Sequence, residues 1–362
     1  MPSSNNTSVF ASAEEVLNEL LNDLSAQMKG SQFYTGHKAY LTSLIDAALN
    51  KNRDVVSVAK PIIEEAFEGK EPLSNKRLYI STAGAPLVGK STILSWMLDE
   101  QLENGIAEDF AKVTELNNIK QQLPDSKHIV AADPDVYGIY KIARNKEHDL
   151  NESFYNLWRE MSIVIDICVR IKALDKGFVV AHGTTATNQN YAATTAALKE
   201  LGYQHHIIAI SAPEDIREAF HKTRAHKSMY QCSPQDRSEK QIGFYANMCK
   251  KSGPQGASVY GRCIEQGAKL SWFGYDQNYN LVCILDNNTV KNRELLSDML
   301  VKNDYRGSSI ENLQSAGILP KSNYCSLFAV AALGVAVVAG LVVKAGQINQ
   351  VDFGGIAKDG FS

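Results

Sequence analysis

The stretch that decides the fold runs from residue 84 to residue 92 and reads Gly84-Ala85-Pro86-Leu87-Val88-Gly89-Lys90-Ser91-Thr92. It matches the pattern G-x-x-x-x-G-K-[ST], follows the strand-like run RLYIST and opens a helix-like run. Glycines let such a loop wrap closely around phosphates, while backbone N–H groups at the helix N-terminus point at the anion. We therefore predict that all nine residues bind the phosphates of a nucleotide, with Lys90 at the β- and γ-phosphates and Ser91 offering its hydroxyl to Mg²⁺.

The sequence on both sides of this loop alternates between short apolar runs and longer helical stretches. Strand-like runs lie at 77–82, 128–132, 178–182, 205–211, 269–274 and 281–285, and helix-like runs lie at 91–103, 151–174, 189–201, 213–226 and 237–251. Strands that alternate with helices form βαβ units, so the pattern predicts an α/β fold with a mostly parallel sheet flanked by helices. The last two strands form a predicted hairpin across YDQNYN, and the stretch 104–127 is an unassigned insertion.

Two acidic residues follow the second strand-like run, which ends in Asp133-Pro134-Asp135. Ligands of α/β folds bind at the carboxyl ends of the strands, so this position suits chemistry. One acid can take the proton of an acceptor hydroxyl while the other holds Mg²⁺ through water. The alternative is an Asp-Pro turn in which Asp135 caps a helix.

The composition is that of an ordinary globular protein. The chain has 362 residues, of which 44% are hydrophobic and 21% charged, and its net charge is −3. A disordered chain and a strongly basic nucleic-acid binder are thereby excluded. Its six cysteines form no C-x-x-C pair, which speaks against a zinc site and favours reduced thiols.

Residues 76–250 resemble the zeta toxin family of P-loop kinases. The segments that carry the resemblance are GAPLVGKST (84–92), HIVAADPDVY (128–137), DICVRIKALDKGFVVAHGTT (166–185), APEDIREAFHKTR (212–224) and MYQCSPQDR (229–237). The resemblance implies ATP-dependent phosphorylation of a hydroxyl on a small acceptor, typically the nucleotide sugar UDP-N-acetylglucosamine, with ATP and Mg²⁺ as cofactors.

The family's functional residues fall on specific positions of this chain. The implied catalytic residues are Lys90, Arg224, Arg237 and Asp135, of which Asp135 is the base. Ser91 and Asp133 are expected to bind Mg²⁺. Asp166, His182 and Thr184 are expected to bind the acceptor. Each of these positions also has a purely structural interpretation. Arg224 could be one more solvated charge, Asp166 could pair with Arg170 at i+4, and Thr184 could cap a helix.

Three departures from the family pattern lie on the acceptor side. His182 stands where the family has glutamate, and Asp166 is one methylene shorter than the usual acid. Residues 136–140, VYGIY, replace a segment with an arginine and a His-Pro pair. ATP use is therefore a firmer expectation than the nucleotide-sugar acceptor.

The two ends of the chain carry no catalytic motif. Residues 13–68 read as helices, in which Pro61 is expected to kink or split one helix. Residues 324–343 contain no charge, and a helix of that length covers about 30 Å, the thickness of a bilayer core. We therefore predict a C-terminal transmembrane helix, although a buried core helix is the alternative.

The predicted division comprises a helical N-terminal region (1–75), a zeta-toxin-like kinase domain (76–301), a linker (302–323), the transmembrane helix (324–343) and a short tail (344–362). This arrangement implies a single-pass membrane anchor with the kinase domain in a cytoplasmic compartment, and it would suit a secreted bacterial effector. An antitoxin-like partner, or the N-terminal helices acting in cis, could cover the nucleotide pocket. The rival functions are a P-loop kinase for a protein or lipid acceptor and a nucleotide-binding interaction protein without transfer.

Overall fold

The computed structural model describes residues 12–52, 54–73, 75–100, 102, 106–149, 151–224, 234–251, 256–302 and 310–320. Its strands are β1 (Leu78–Ala83), β2 (Ile129–Ala132), β3 (Val179–His182), β4 (Gln204–Ser211), β5 (Lys269–Tyr275), β6 (Leu281–Asp286) and β7 (Thr289–Val290). They form one sheet in the order β2-β3-β1-β4-β5-β6-β7. The first five strands in this order run parallel, and β6 and β7 are antiparallel to their neighbours. The mostly parallel P-loop-type sheet and the terminal hairpin are thus confirmed.

The helices cover both faces of this sheet. They are α1 (Ala13–Leu20), α2 (Ala26–Gly30), α3 (Gln32–Lys51), α4 (Val55–Glu65), α5 (Lys90–Met97), α6 (Ile106–Lys112), α7 (Thr114–Gln121), α8 (Tyr140–Asn145), α9 (Glu152–Lys176), α10 (Tyr191–Glu200), α11 (Glu214–Arg224), α12 (Pro234–Cys249), α13 (Val259–Glu265), α14 (Arg293–Lys302) and α15 (Ile310–Ser315). Every residue of β1 is buried, as is β4 except for its first residue. A sheet covered on both faces has continuous apolar strands, which is why the runs were readable in the sequence.

Helix α9 organises one side of the molecule. Its 25 residues end at Lys176, and Gly177, in a left-handed conformation (φ 83°), caps the helix. Helices α1, α3 and α4 pack as a layer in which α3 and α4 contact α9, and their apolar side chains join those of α9 in one buried cluster. Pro61 lies inside α4 without splitting it, since Val58, Ile62 and Ile63 are buried on either side and their packing offsets the lost hydrogen bond.

The membrane anchor predicted from the sequence requires correction. None of the helices in the described ranges combines the length and the apolar composition that a bilayer crossing requires. The longest, α9, carries Asp166, Arg170 and Lys172 near its middle, and charges are costly in hydrocarbon. The predicted span at 324–343 lies outside the described residues. The fold class is therefore an α/β sheet with flanking helices, and the transmembrane helix and membrane localisation are withdrawn.

The stretch that the sequence analysis assigned to a linker contains folded structure. Helix α15 packs near α13, where the backbone N–H of Ser258 donates to the carbonyl of Ala316 at 3.0 Å. Leu313, Ile318 and Leu319 are buried. Residues 310–319 therefore belong to the compact unit that ends at Leu319.

Candidate active site

The predicted phosphate loop, residues 84–92, lies between β1 and α5, and its two glycines, Gly84 and Gly89, have little room for a side chain. Gly84 has φ 141°, and a Cβ there would overlap the carbonyl of Ile210 on β4. Gly89 precedes the first turn of α5 with φ 85°, and a Cβ there would lie 2.7 Å from the Tyr275 hydroxyl. Both positions combine a left-handed backbone with a close neighbour, so glycine is required at each.

The rest of the loop has the geometry of an anion cradle. Leu87 adopts a left-handed conformation (φ 67°), as Gly89 does two residues later (φ 85°). The Nζ atom of Lys90 donates a hydrogen bond to the carbonyl of Ala85 at 2.7 Å, so the ammonium folds back over its own loop. The backbone turn, the N-terminus of the eight-residue helix α5 and this lysine fit a polyphosphate.

A cavity of about 1010 Å³ opens beside the loop. One wall comprises Lys90, Ser91 and Thr92, and the others come from α6, α7, α11 and the β5–β6 hairpin. Phe110, Val113, Phe220, Tyr275, Tyr279 and Leu281 give much of its surface an apolar character. The insertion at 104–127 therefore forms a wall of this cavity, whereas none of the residues that line it belongs to α1–α4.

The predicted acid Asp133 is buried and fixed at the end of β2. Its Oδ1 accepts a hydrogen bond from the backbone N–H of Asp135 at 2.8 Å. Its Oδ2 lies so close to Gly183 that a Cβ on this glycine would overlap it. The backbone N–H of Gly183 also donates to the carbonyl of Ala132 at 2.7 Å. The end of β2 and Asp133, which follows it, are thus packed directly against the loop after β3.

The same loop contacts the phosphate loop on its other side. The backbone N–H of Gly84 donates to the carbonyl of Thr185 at 3.1 Å. The hydroxyl of Thr82 on β1 accepts from the backbone N–H of Thr184 at 3.2 Å, and the hydroxyl of Thr184 accepts from the N–H of Ala186 at 3.2 Å. Residues 182–186 therefore connect the phosphate loop to the acids that follow β2, and Thr184 lies at this junction.

Asp135 has a partner that the sequence analysis missed. Arg159 on α9 donates from Nη1 to Asp135 Oδ1 at 2.8 Å, and both side chains are partly exposed. Asp135 belongs to a π-helical turn, Pro134–Ile139, that packs on α9. The helical spacing of Arg159, Asp166 and Arg170 places the three on one face of α9, but it does not show that this face meets Asp135.

Asp166 and His182 are brought together, but beneath the site rather than at its surface. Arg170 donates to Asp166 Oδ2 from Nε at 3.1 Å and from Nη2 at 2.8 Å, and His182 Nε2 lies 3.7 Å from the same oxygen. The Tyr79 hydroxyl is 2.8 Å from His182 Nδ1. Asp166 Oδ1 is buried and has no hydrogen-bond partner among the described residues.

Burial sets the protonation of this cluster. Desolvation raises the pKa of Asp166, and the Arg170 guanidinium acts in the opposite direction. Desolvation, followed by the Arg170 charge, lowers the pKa of His182 well below its ordinary value, so its imidazole is neutral near pH 7. A neutral imidazole beside a buried Arg–Asp pair is a structural arrangement that the glutamate of the family pattern would not reproduce.

The two predicted arginines are placed by their backbones alone. Arg224 is the last residue of α11, and Arg237 lies in the first turn of α12. Their side chains lie outside what the structure describes. Within the described ranges, no group of three or more histidine, cysteine, aspartate or glutamate side chains is arranged to hold a metal ion.

No family model and no curated protein matches the chain. Among solved structures, one from the PezAT chromosomal toxin–antitoxin system of Streptococcus pneumoniae is 12% identical, with a TM-score of 0.41 over 71% of this chain and 96% of that chain. The AvrRxo1-ORF1:ORF2 structure with ATP is 14% identical, with a TM-score of 0.42 over 71% of each chain. At these values, the function has to follow from the site residues themselves.

Proposed function

We propose that this protein is an ATP-dependent phosphotransferase that transfers the γ-phosphate to a hydroxyl of a small acceptor. The observation that carries the proposal is the connection made by residues 182–186, which contact the phosphate loop at Gly84 and the acid Asp133 at Gly183. A phosphate cradle and strand-end carboxylates at one edge of a parallel sheet are the parts that phosphoryl transfer needs.

The nucleotide is proposed to occupy the loop and the adjoining cavity. Residues 84–92 bind its phosphates, and the cavity of about 1010 Å³ has room for the nucleoside among Phe110, Phe220 and Tyr275. Ser91 and, through water, Asp133 would hold Mg²⁺, which when bound neutralises the charge on the phosphates. Thr92 follows Ser91 into the same cavity wall.

Asp135 is proposed as the base. Its carboxylate is partly exposed and its Oδ1 is occupied by Arg159, so Oδ2 remains to accept the proton of the acceptor hydroxyl. The acceptor oxygen then bonds to the γ-phosphorus while the bond to the β–γ bridging oxygen breaks. Lys90, Arg224 and Arg237 are proposed to neutralise the charge that spreads over the transferred group.

A nucleotide sugar such as UDP-N-acetylglucosamine is the proposed acceptor, and Thr184 is the proposed contact to it. Asp166 and His182, by contrast, have side chains only 4% and 9% exposed, so we propose that they support the acceptor loop from beneath. Their burial favours a rebuilt acceptor site, and a different hydroxyl acceptor is accordingly the second candidate. An antitoxin-like protein is a proposed partner.

The test follows ADP release from Mg·ATP by the full chain, with and without UDP-N-acetylglucosamine. Acceptor-dependent release should be lost in Lys90→Ala and should fall at least about 100-fold in Asp135→Ala, the scale of general-base catalysis. Turnover that requires other sugars or alcohols but keeps both residue requirements would identify the second candidate. If wild type and Asp135→Ala both bind ATP but neither they nor Lys90→Ala show acceptor-dependent turnover, the transfer reaction is refuted.

A further inference from the structure

The proposed base is held by one side chain of α9. Arg159 Nη1 lies 2.8 Å from Asp135 Oδ1, and its side chain is 32% exposed while that of Asp135 is 42% exposed. The guanidinium also lies 5.3 Å from the ring centroid of Tyr155, one turn earlier on α9. Stacking on an aromatic ring limits the rotamers of an arginine, so the cation is presented to Asp135 from a fixed direction.

The backbone around Asp135 is fixed to the same helix. A Cβ on Gly138 would lie 2.8 Å from Ser162 Cβ, so the π-helical turn Pro134–Ile139 approaches α9 as closely as glycine allows. Ser162 lies one turn beyond Arg159 and donates its hydroxyl to the carbonyl of Arg159 at 2.8 Å. The turn that carries Asp135 is therefore positioned by close packing at Gly138 and by an ion pair at Arg159.

The charges along this face of α9 alternate from the surface into the core. Asp166 and Arg170 form a buried pair, and Arg159 is the exposed end of the same stripe. Desolvation has the largest influence on the pKa of Asp166 and raises it, and Arg170 lowers it; Arg159 also lowers this pKa and Asp135 raises it, both with smaller effects. Arg159 thus lies between two carboxylates, of which Asp135 is partly exposed and Asp166 is buried.

We propose that Arg159 positions the base of the phosphotransfer site. Its hydrogen bond to Asp135 Oδ1 orients the carboxylate so that Oδ2 faces the acceptor hydroxyl. This role rests on the proposed function. It differs from the roles of Arg224 and Arg237, because Arg159 acts on the base and not on the transferred phosphate. A base misplaced by about 1 Å loses about 100-fold in rate, so the contact matters for turnover more than for ATP binding.

The experiment compares Arg159→Met, Arg159→Lys and Arg159→Ala with wild type by ADP release. Arg159→Met is expected to lower kcat about 100-fold while the KM for ATP stays within about twofold. Arg159→Lys keeps a cation near Oδ1 and should recover about tenfold of this loss. Millimolar guanidine, below its denaturing range, should restore turnover to Arg159→Ala and leave Asp135→Ala inactive.

The matched control is Arg144→Met, which breaks the 2.9 Å pair of Arg144 with Glu65 at the surface. It should turn over like wild type, and the urea midpoints of Arg144→Met and Arg159→Met should be similar. If wild type and Asp135→Ala differ while Arg159→Met matches wild type, only the role of Arg159 is refuted. If wild type shows no acceptor-dependent turnover, the proposed function fails and the role of Arg159 falls with it.

Discussion

At Gly183 the absence of a side chain allows the close contact with Asp133. The Asp133 carboxylate occupies the space where any other residue would place its Cβ. The motif around it, His182-Gly183-Thr184, was identified from the sequence for its histidine and threonine, whereas the structure gives the glycine an equally demanding position. Its backbone is not in the left-handed region, so the requirement comes from the contact with Asp133.

Gly183→Ala should therefore displace Asp133 and the loop after β3. We expect acceptor-dependent ADP release to fall at least about tenfold, and the free energy of unfolding to fall by about 1–3 kcal/mol, as for other overpacked sites. ADP release and urea unfolding check the two effects. Gly36→Ala is the control, since nothing lies within 4 Å of its Cβ position, and it should leave both unchanged or raise stability slightly. Full activity in Gly183→Ala would contradict the contact with Asp133.

The strand–loop–helix arrangement around residues 84–92 could be predicted because a local pattern encodes it. The loop, its strand and its helix are consecutive in the chain, so spacing alone located the loop between β1 and α5. The pairing of Asp135 with Arg159 could not be predicted in this way, because 24 residues separate the two and the contact depends on how the π-helical turn packs on α9. The same holds for Asp166, whose pairing with Arg170 depends on how α9 is buried.

At the scale of elements, the insertion after α5 gains a role that its sequence did not reveal. Helices α6 and α7 form a wall of the cavity beside the phosphate loop. Their short length and polar composition gave no periodic pattern strong enough to assign. The strands, by contrast, were predicted closely, because burial on both faces makes each of them a continuous apolar run. Among the strands in the described part of the chain, β7, with two residues, is the one that was missed.

A bulky side chain on this wall should separate nucleoside binding from phosphate binding. Thr114 lines the cavity and is exposed, so Thr114→Trp can fill the space without overpacking the core. We expect the Kd for ATP to rise about tenfold, which corresponds to about 1.4 kcal/mol, while the Kd for tripolyphosphate stays unchanged. Calorimetric titration measures both ligands.

Two further variants complete this comparison. Thr114→Ser keeps the size and polarity of the wall and should bind both ligands like wild type. Lys90→Ala removes the charge at the phosphates and should weaken ATP and tripolyphosphate alike. A wild-type protein that binds tripolyphosphate as tightly as ATP would show that the cavity does not hold the nucleoside.

At the scale of the whole molecule, buried histidines link stability to pH. Burial lowers the pKa of His205 to about 3 and that of His206 to about 4, and it lowers the pKa of His182 as well. These side chains are neutral in the folded protein but take up protons near pH 6.5 when the chain unfolds. The unfolded state therefore binds more protons below pH 6.5, so stability is complete above that pH and is lost as the pH falls toward 4.

Each of these histidines should contribute a slope of about 1.4 kcal/mol per pH unit below pH 6.5. Urea unfolding at a series of pH values between 7 and 5 measures the total. His206→Gln, which can keep a hydrogen bond to Ser271, should reduce this slope by about 1.4 kcal/mol per pH unit. A slope that is the same in His206→Gln and wild type would contradict the neutral buried state of His206.

The overall architecture could be predicted in part. Alternating strands and helices gave the parallel sheet, since that pattern is a property of the whole chain and tolerates errors in single elements. The ends were harder to interpret, because an apolar stretch has the same composition in a bilayer and in a protein core. The helices before β1 and the segment 310–319 likewise carry no motif, and their place in the compact unit follows from packing alone.

Helix α9 also has a mechanical consequence. Its 25 residues make a rod of about 37 Å. Lys51, the last residue of α3, is bonded to Glu160 and to the carbonyl of Asn156, directly beside Arg159. The N-terminal helices, through Lys51, and the proposed base, through Arg159, therefore contact the same short section of α9. A protein that bound the N-terminal helices and moved them away from α9 would displace the base without contacting the nucleotide cavity. Such an inhibitor would lower turnover and leave the affinity for ATP unchanged.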